Sequence, residues 1–175
     1  MAKVFTIGHS THEPERFAQL LGDQGVEMVV DVRRYPGSRR VPWTGPGEIE
    51  RALPVDYLHL PGLGGRRPAA QDSPNGFWEN DGFRGYADHM ASGEFSAALE
   101  PLLELAAERR LAVMCAEGPW WRCHRRLLAD VLVIRGCVVF HIDTRGRTEE
   151  HQLTKAAVVD GTRLVYPPVQ ETLDV

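Results

Sequence analysis

Apolar positions along the chain fall into short runs of four to six residues, separated by longer stretches in which they recur every third or fourth place. Lys3–Ile7 is such a run, closed by Gly8, and reads as a first strand. His9-Ser10-Thr11 then supplies cap-type hydroxyls, and Pro14 suits a first helical turn. Phe17, Leu20 and Leu21 form the stripe of an amphipathic helix, which Gly25 stops. Met28–Val32 is a second buried strand. Residues 34–47, rich in Pro, Gly and Arg, form a loop. Glu48–Leu53 suggests a short helix and Val55–Leu60 a third strand, before a second long loop over Pro61–Phe83. Helices are expected over Gly82–Ala91 and around Phe95, Leu99, Leu102 and Leu103, then a strand over Leu111–Ala116. A helix over Trp121–Ile134, with Gly136 as its stop, precedes a fifth strand, Val138–Ile142. Ala157–Val159 and Arg163–Tyr166 flank Asp160-Gly161 as a hairpin would.

Strands alternating with helices predict one α/β domain. Its form is three-layered and Rossmann-like, with a mostly parallel sheet of about five strands. The core spans about residues 3–151 and a small C-terminal hairpin appendage occupies about 152–175.

Composition changes this picture little. Apolar residues make up 43%, an ordinary globular fraction. No apolar run approaches the ~20 residues that cross a bilayer. The start of the chain is too short and polar for a signal peptide, so no membrane role and a cytoplasmic location are expected. Cys115, Cys123 and Cys137 include no CxxC pair and do not suggest a disulfide framework. Cys137 opens an apolar strand and reads as a small buried hydrophobe. The net charge is −4, yet residues 33–68 hold seven arginines against three acids. The bland cause is codon bias, since only Lys3 and Lys155 are lysines. The sharper cause is a need for planar donors to phosphate or carboxylate.

In open α/β sheets the ligand crevice lies beyond the carboxyl ends of the strands. Those ends carry His9 and Ser10, Asp31 and Arg33, His59, Cys115 and Glu117, and His141 and Asp143. Polar loops alone could account for some of these, but a purely structural sheet needs none of them. The densest segment runs from Cys115 to Arg126 as strand, turn and helix. Arg122, Arg125 and Arg126 crowd a helix N-terminus whose dipole they oppose, which suggests an anion ligand. An internal salt bridge to Glu117 or Asp31 is the competing account. Helical phase points Cys123 and His124 along the apolar face. A Cys115 facing the helix N-terminus is a candidate thiolate nucleophile; facing the other way, it is core. The gaps from Cys115 to Arg122 and to Arg125 exceed that of the phosphate-binding Cys-to-Arg loop in tyrosine phosphatases. A metal bound by Cys115, Cys123, His124 and His141 is awkward, because adjacent helical residues project about 100° apart; no metal is assigned.

These residues also carry a resemblance. Ile7-Gly8-His9-Ser10-Thr11, Asp31-Val32-Arg33 with Pro36, Ser38 and Arg39, and Cys115-Ala116-Glu117 followed by Cys123-His124-Arg125 resemble the bacterial and archaeal family called domain of unknown function 488. Tyr57, Leu63-Gly64-Gly65, Gly82-Phe83 with Tyr86, His141-Ile142 and Glu150-His151 extend the likeness over about residues 3–151. The resemblance implies a compact α/β domain and a shared polar site, without a reaction.

Two functional readings follow. The first is an enzyme acting on a phosphate-bearing small molecule, nucleotide or nucleic-acid end. Cys115 is then the nucleophile or Glu117 the general base, with His9 or His124 as proton partner. Ser10, Asp31, Arg33, Ser38, Arg39, Cys123 and Arg125 bind the anion or substrate. Arg34, Arg40, Arg66 and Arg67 are expected to stay solvated. No cofactor is specified. The second reading is a non-catalytic nucleic-acid-binding module that uses the arginines of residues 33–67, with Trp43, Trp78, Trp120 or Trp121 for base stacking. Loop packing is the plainer use of those tryptophans.

Overall fold

A computed structural model describes residues 1–170. Its elements are β1 (Lys3–Gly8), α1 (Pro14–Asp23), β2 (Met28–Asp31), α2 (Glu48–Ala52), β3 (Asp56–His59), α3 (Asp81–His89), α4 (Gly93–Glu108), β4 (Leu111–Cys115), α5 (Arg125–Ile134), β5 (Val138–Ile142), β6 (Thr148–Glu150), β7 (Val158–Asp160) and β8 (Arg163–Val165). Six strands form one sheet in the order β3-β2-β4-β1-β5-β6, and β7-β8 stand apart as the antiparallel hairpin. The first five strands of the large sheet pair in parallel.

Strand alternation divides the core in two. Phe5, Ile7, Val29 and Met114 face Phe17, Leu20 and Leu21 of α1 and Ile49 of α2. Val4, Val30 and Val113 face Tyr86, Phe95, Leu102, Leu127 and Leu128 of α3, α4 and α5. Each fully buried side chain of this kind contributes about 1.5–3 kcal/mol relative to exposure. Local chemistry starts the helices where expected. Pro14 occupies the first turn of α1, Asn80 caps α3 by accepting from Phe83 N–H, and Ser92 caps α4 by accepting from Phe95 N–H.

The structure corrects the sequence reading in two places. A sixth strand, Thr148–Glu150, pairs antiparallel with β5. All three of its residues are exposed and polar, so no apolar pattern announces it. The helix expected from Trp121 begins only at Arg125, because Trp120–Arg122 form a 3-10 turn. Cys123 and His124 therefore precede the helix rather than lying on its apolar face. The hairpin is tied to the domain: buried Tyr166 packs edge-on against Trp78, and its N–H donates to Asn75 Oδ1.

Candidate functional site

Register brings the strand ends together. Gly8 lies opposite Cys115, and Asp31 lies opposite both Met114 and His59. His9 N–H donates to Cys115 O, and Ser10 N–H donates to Ala116 O, with Ser10 at φ 48°. The turn after β4 crosses directly over β1, so that a Cβ on Gly8 would collide with Glu117 O. Only glycine permits that approach.

A cavity of about 310 Å³ opens beyond these ends, lined by His9, Arg33, Arg34, Ser38, Arg66, Cys115, Glu117, Cys123 and His124 among others. At its floor the sulfurs of Cys123 and Cys115 lie 2.7 Å apart. The Cys115 thiol donates to Glu117 O at 3.7 Å, while the Cys123 sulfur accepts from Arg125 N–H at 3.5 Å and lies 3.5 Å from His124 Nδ1. Cys123 thus sits at the N-terminal end of α5, where backbone N–H groups favour an anion. Burial works to raise the Cys123 pKa. The contact with Cys115, the charge of Arg125 and the bond from Arg125 N–H outweigh it and bring it down to about 7. Burial and the hydrogen bond to Cys123 push Cys115 well up. The thiol that the sequence favoured as nucleophile is therefore the less acidic of the pair. Cys137 is buried at the start of β5, and burial pushes it up too.

Arg125 lies beneath this pair with no exposed surface. Its guanidinium donates to Glu117 O at 2.6 Å, Gly118 O at 3.0 Å and Thr6 Oγ1 at 3.3 Å, and Nε has no partner. No carboxylate pairs with it directly among the described residues. Behind it runs a buried chain: Thr6 Oγ1 to His141 Nδ1 at 2.6 Å, His141 Nε2 to His151 Nδ1 at 2.9 Å, and His151 Nε2 to Asp130 Oδ1 at 2.7 Å. With both imidazoles neutral, one tautomer assignment pairs every atom, and each donor points toward Asp130. Tyr166 OH and Thr154 N–H complete the aspartate's shell. Trp120 stacks on His141 at 4.1 Å. Burial, with the neighbouring His151 and Arg125, drives the His141 pKa far down.

The other expected residues divide. Arg33 and Asp31 form a buried bidentate pair, and Asp31 also accepts from Arg33 N–H and Tyr57 OH. Arg33 NH1 reaches His9 Nε2 at 3.4 Å, and His9 Nδ1 bonds Ser10 O. Burial lowers the pKa of His9, so the ring is neutral at pH 7. Burial lowers that of His124 likewise. Ser38 accepts from Val41 N–H at the cavity wall, and Glu117 is exposed at the rim.

Two arginine expectations are reversed. Arg39 is exposed and lies outside the cavity wall. Arg67 is buried, bonded to Gly64 O, Pro61 O and Glu94. Arg34 and Arg66 line the cavity rather than standing wholly in solvent, and Arg34 donates to Arg66 O. Sequence charge cannot distinguish these neighbours. The residues behind the site, Thr6, Asp130 and Tyr166, carried no signal as site residues, because each lies within an ordinary apolar pattern. Among the tryptophans, Trp43 donates to His12 O and packs on Phe17. Trp78 is buried, and only Trp121 is substantially exposed, at 52%. No group of three or more metal-ligating side chains gathers among the described residues. No helix among them is long and apolar enough to cross a membrane.

Fold and site together define an α/β domain with a dithiol crevice at the carboxyl ends of a parallel sheet. Residues 13–132 match the family described as Domain of unknown function DUF488, and the chain belongs to that family. Neither a search of curated proteins nor one of solved structures finds a match.

Proposed function

We propose that this protein is a cysteine-dependent enzyme acting on a small phosphate-bearing molecule, with Cys123 as nucleophile. The carrying observation is the Cys123 sulfur, set at the start of α5 above a buried Arg125 and opening into an arginine-lined cavity. A thiolate there is stabilised by the backbone N–H, by the guanidinium and by the Cys115 thiol. Arg34 and Arg66 supply positive potential where a phosphate would enter. The Cys123 thiolate attacks phosphorus, forming an S–P bond as the ester P–O bond breaks. The leaving oxygen is protonated from solvent at the open rim beside Glu117. Water then cleaves the S–P bond, with neutral His9 Nε2 accepting the proton. The cavity's volume is at the low end for small-molecule sites, which favours a compact substrate.

The nucleic-acid reading fares less well. Trp43 and Trp78 pack inward, Trp120 stacks on His141, and Arg67 is committed internally. The two readings share the positive rim but not the reactive sulfur.

The test compares an anionic with a neutral alkylating agent. Relative to free cysteine, Cys123 should favour iodoacetate over iodoacetamide, and inorganic phosphate should protect it. A panel of small phosphomonoesters should then yield turnover that Cys123→Ser abolishes. Absence of phosphate protection, or turnover surviving in Cys123→Ser, overturns the reading.

A further inference from the structure

The two sulfurs at the cavity floor lie 2.7 Å apart, nearer than van der Waals contact and within easy reach of the bond length of a disulfide. Phosphoryl chemistry at Cys123 gives the second sulfur no covalent work. Cys115 is buried, faces the same cavity and points at Cys123 rather than into the core layers. The turn from Ala116 to Arg122 holds the pair in register. Gly8 admits it closely, and Arg125 ties down its carbonyls at Glu117 and Gly118. A preorganised pair of thiols, one accepting from the first N–H of a helix and the other in contact with it, matches an attacking and a resolving cysteine.

We propose that Cys123 and Cys115 react with hydroperoxides and close to a reversible disulfide, Cys123 being oxidised first and Cys115 resolving it. The Cys123 thiolate attacks the terminal oxygen of the peroxide. An S–O bond forms and the O–O bond breaks; with hydrogen peroxide the departing hydroxide is protonated by solvent to water, and an organic hydroperoxide releases its alkoxide as the alcohol. Cys115 then attacks the Cys123 sulfur. The S–S bond forms, the S–O bond breaks, and the hydroxide leaves as a second water with the Cys115 proton. The two thiols lose two electrons and the peroxide gains them. A small dithiol resets the pair by exchange through a mixed disulfide. The neighbouring sulfur intercepts the sulfenic acid before further oxidation, and the closed form has no nucleophile at the cavity floor.

This inference shares with the proposed function only the Cys123 thiolate. Protection from iodoacetate by phosphate tests that reading and is indifferent to disulfide formation.

The experiment treats fully reduced protein with equimolar hydrogen peroxide, blocks the remaining thiols with N-ethylmaleimide and digests with trypsin without reduction. Cleavage after Arg110, Arg122 and Arg125 places the cysteines on separate peptides, 111–122 and 123–125. These should appear joined, and dithiothreitol should separate them. Cys115→Ser should give no linked peptide and should accumulate a dimedone adduct on Cys123 that the wild type lacks. In Cys123→Ser, Cys115 should remain free at the same dose. A wild type that carries the dimedone adduct, or higher oxides, without the linked peptide overturns the proposal, as does oxidation of Cys115 at the wild-type rate in Cys123→Ser. Should Cys115→Ser fail to fold, the wild-type peptide map and Cys123→Ser still decide.

Discussion

Two buried arginine–aspartate systems flank the cavity, Arg33 in its wall and Arg125 outside it, and they solve the same problem differently. Arg33 meets Asp31 directly, at 2.7 Å, from two residues away in sequence. Arg125 reaches Asp130 only through Thr6, His141 and His151. A direct pair cancels its own field and leaves little for a neighbour. A pair stretched over three intervening side chains leaves positive potential at the guanidinium, and the thiols lie beside it. The Arg125 pKa shows the reciprocal effect: burial lowers it, but Cys115 and Cys123 together raise it. The first system is a structural bracket for the loop at Thr44, whose carbonyl Arg33 also engages. The second leaves a buried guanidinium beside two thiols.

The largest expected effect breaks the direct pair. Asp31→Asn strips Arg33 of its counter-charge within the core and should cost about 3–5 kcal/mol. Asp130→Asn keeps an acceptor for His151 and Thr154 and lies far from the charge it balances, so it should cost about 1–3 kcal/mol. Urea denaturation of both variants checks the order. Equal losses would mean that the relay transmits as much charge stabilisation as contact does.

Next in size is the effect of Arg125 on the thiols. Wild-type iodoacetamide labelling of Cys123 should rise with pH through a midpoint at about 7. Arg125→Met removes the guanidinium and keeps much of the volume. The midpoint should move toward the value of a free thiol, about 8.5. A midpoint unchanged in the variant would assign the lowered value to the helix end and Cys115 alone.

These contrasts are only partly legible in the chain. The apolar runs and the polar residues that close them place Asp31, Cys115 and His9 at one sheet edge, since each parallel strand ends there. The meeting of Cys115 with Cys123 is not legible. It depends on a 3-10 turn at Trp120–Arg122, where the pattern suggests continuous helix. Arg125 is expected from sequence to grip an anion itself; in the fold it is fully buried, its guanidinium bonded to Thr6 Oγ1, Glu117 O and Gly118 O. The relay is hidden for another reason. Thr6, His141 and Asp130 each occupy positions that an apolar residue would fill, and their pairing emerges only when β1, β5 and α5 are packed.

A third test concerns pH. His141 has its pKa lowered in the fold, so the unfolded chain binds its proton more readily. Stability from the neutral ring is therefore complete above the unfolded value of about 6.5 and is lost as pH falls below it. The loss can approach 1.4 kcal/mol per pH unit for one proton. His141→Gln keeps a polar side chain beneath Trp120 without a titrating group. It should flatten the decline of melting temperature between about pH 6.5 and 5 relative to wild type. An unchanged slope would shift the acid sensitivity to the other imidazoles whose pKa burial lowers, such as His9 and His124.

The smallest expected effect probes the far end of the relay. Tyr166 is fully buried, follows β8 and donates its hydroxyl to Asp130 at 2.7 Å. Its phenol is held protonated, since burial and the adjacent carboxylate push its pKa far up. Tyr166→Phe deletes that one donor and leaves the ring packed against Trp78. Asp130 still accepts from His151 and Thr154, so the loss should be about 1–2 kcal/mol. If the relay only brackets the hairpin to α5, the change ends there and Cys123 alkylates as in wild type. If the relay sets the field at Arg125, one donor fewer makes Asp130 a stronger acceptor for His151. The polarised chain then draws the guanidinium charge slightly away from the thiols, and the Cys123 midpoint should rise by roughly a few tenths of a pH unit. Measuring denaturation and alkylation on the same variant separates the two roles, because only the second moves a sulfur several side chains removed from the mutated ring.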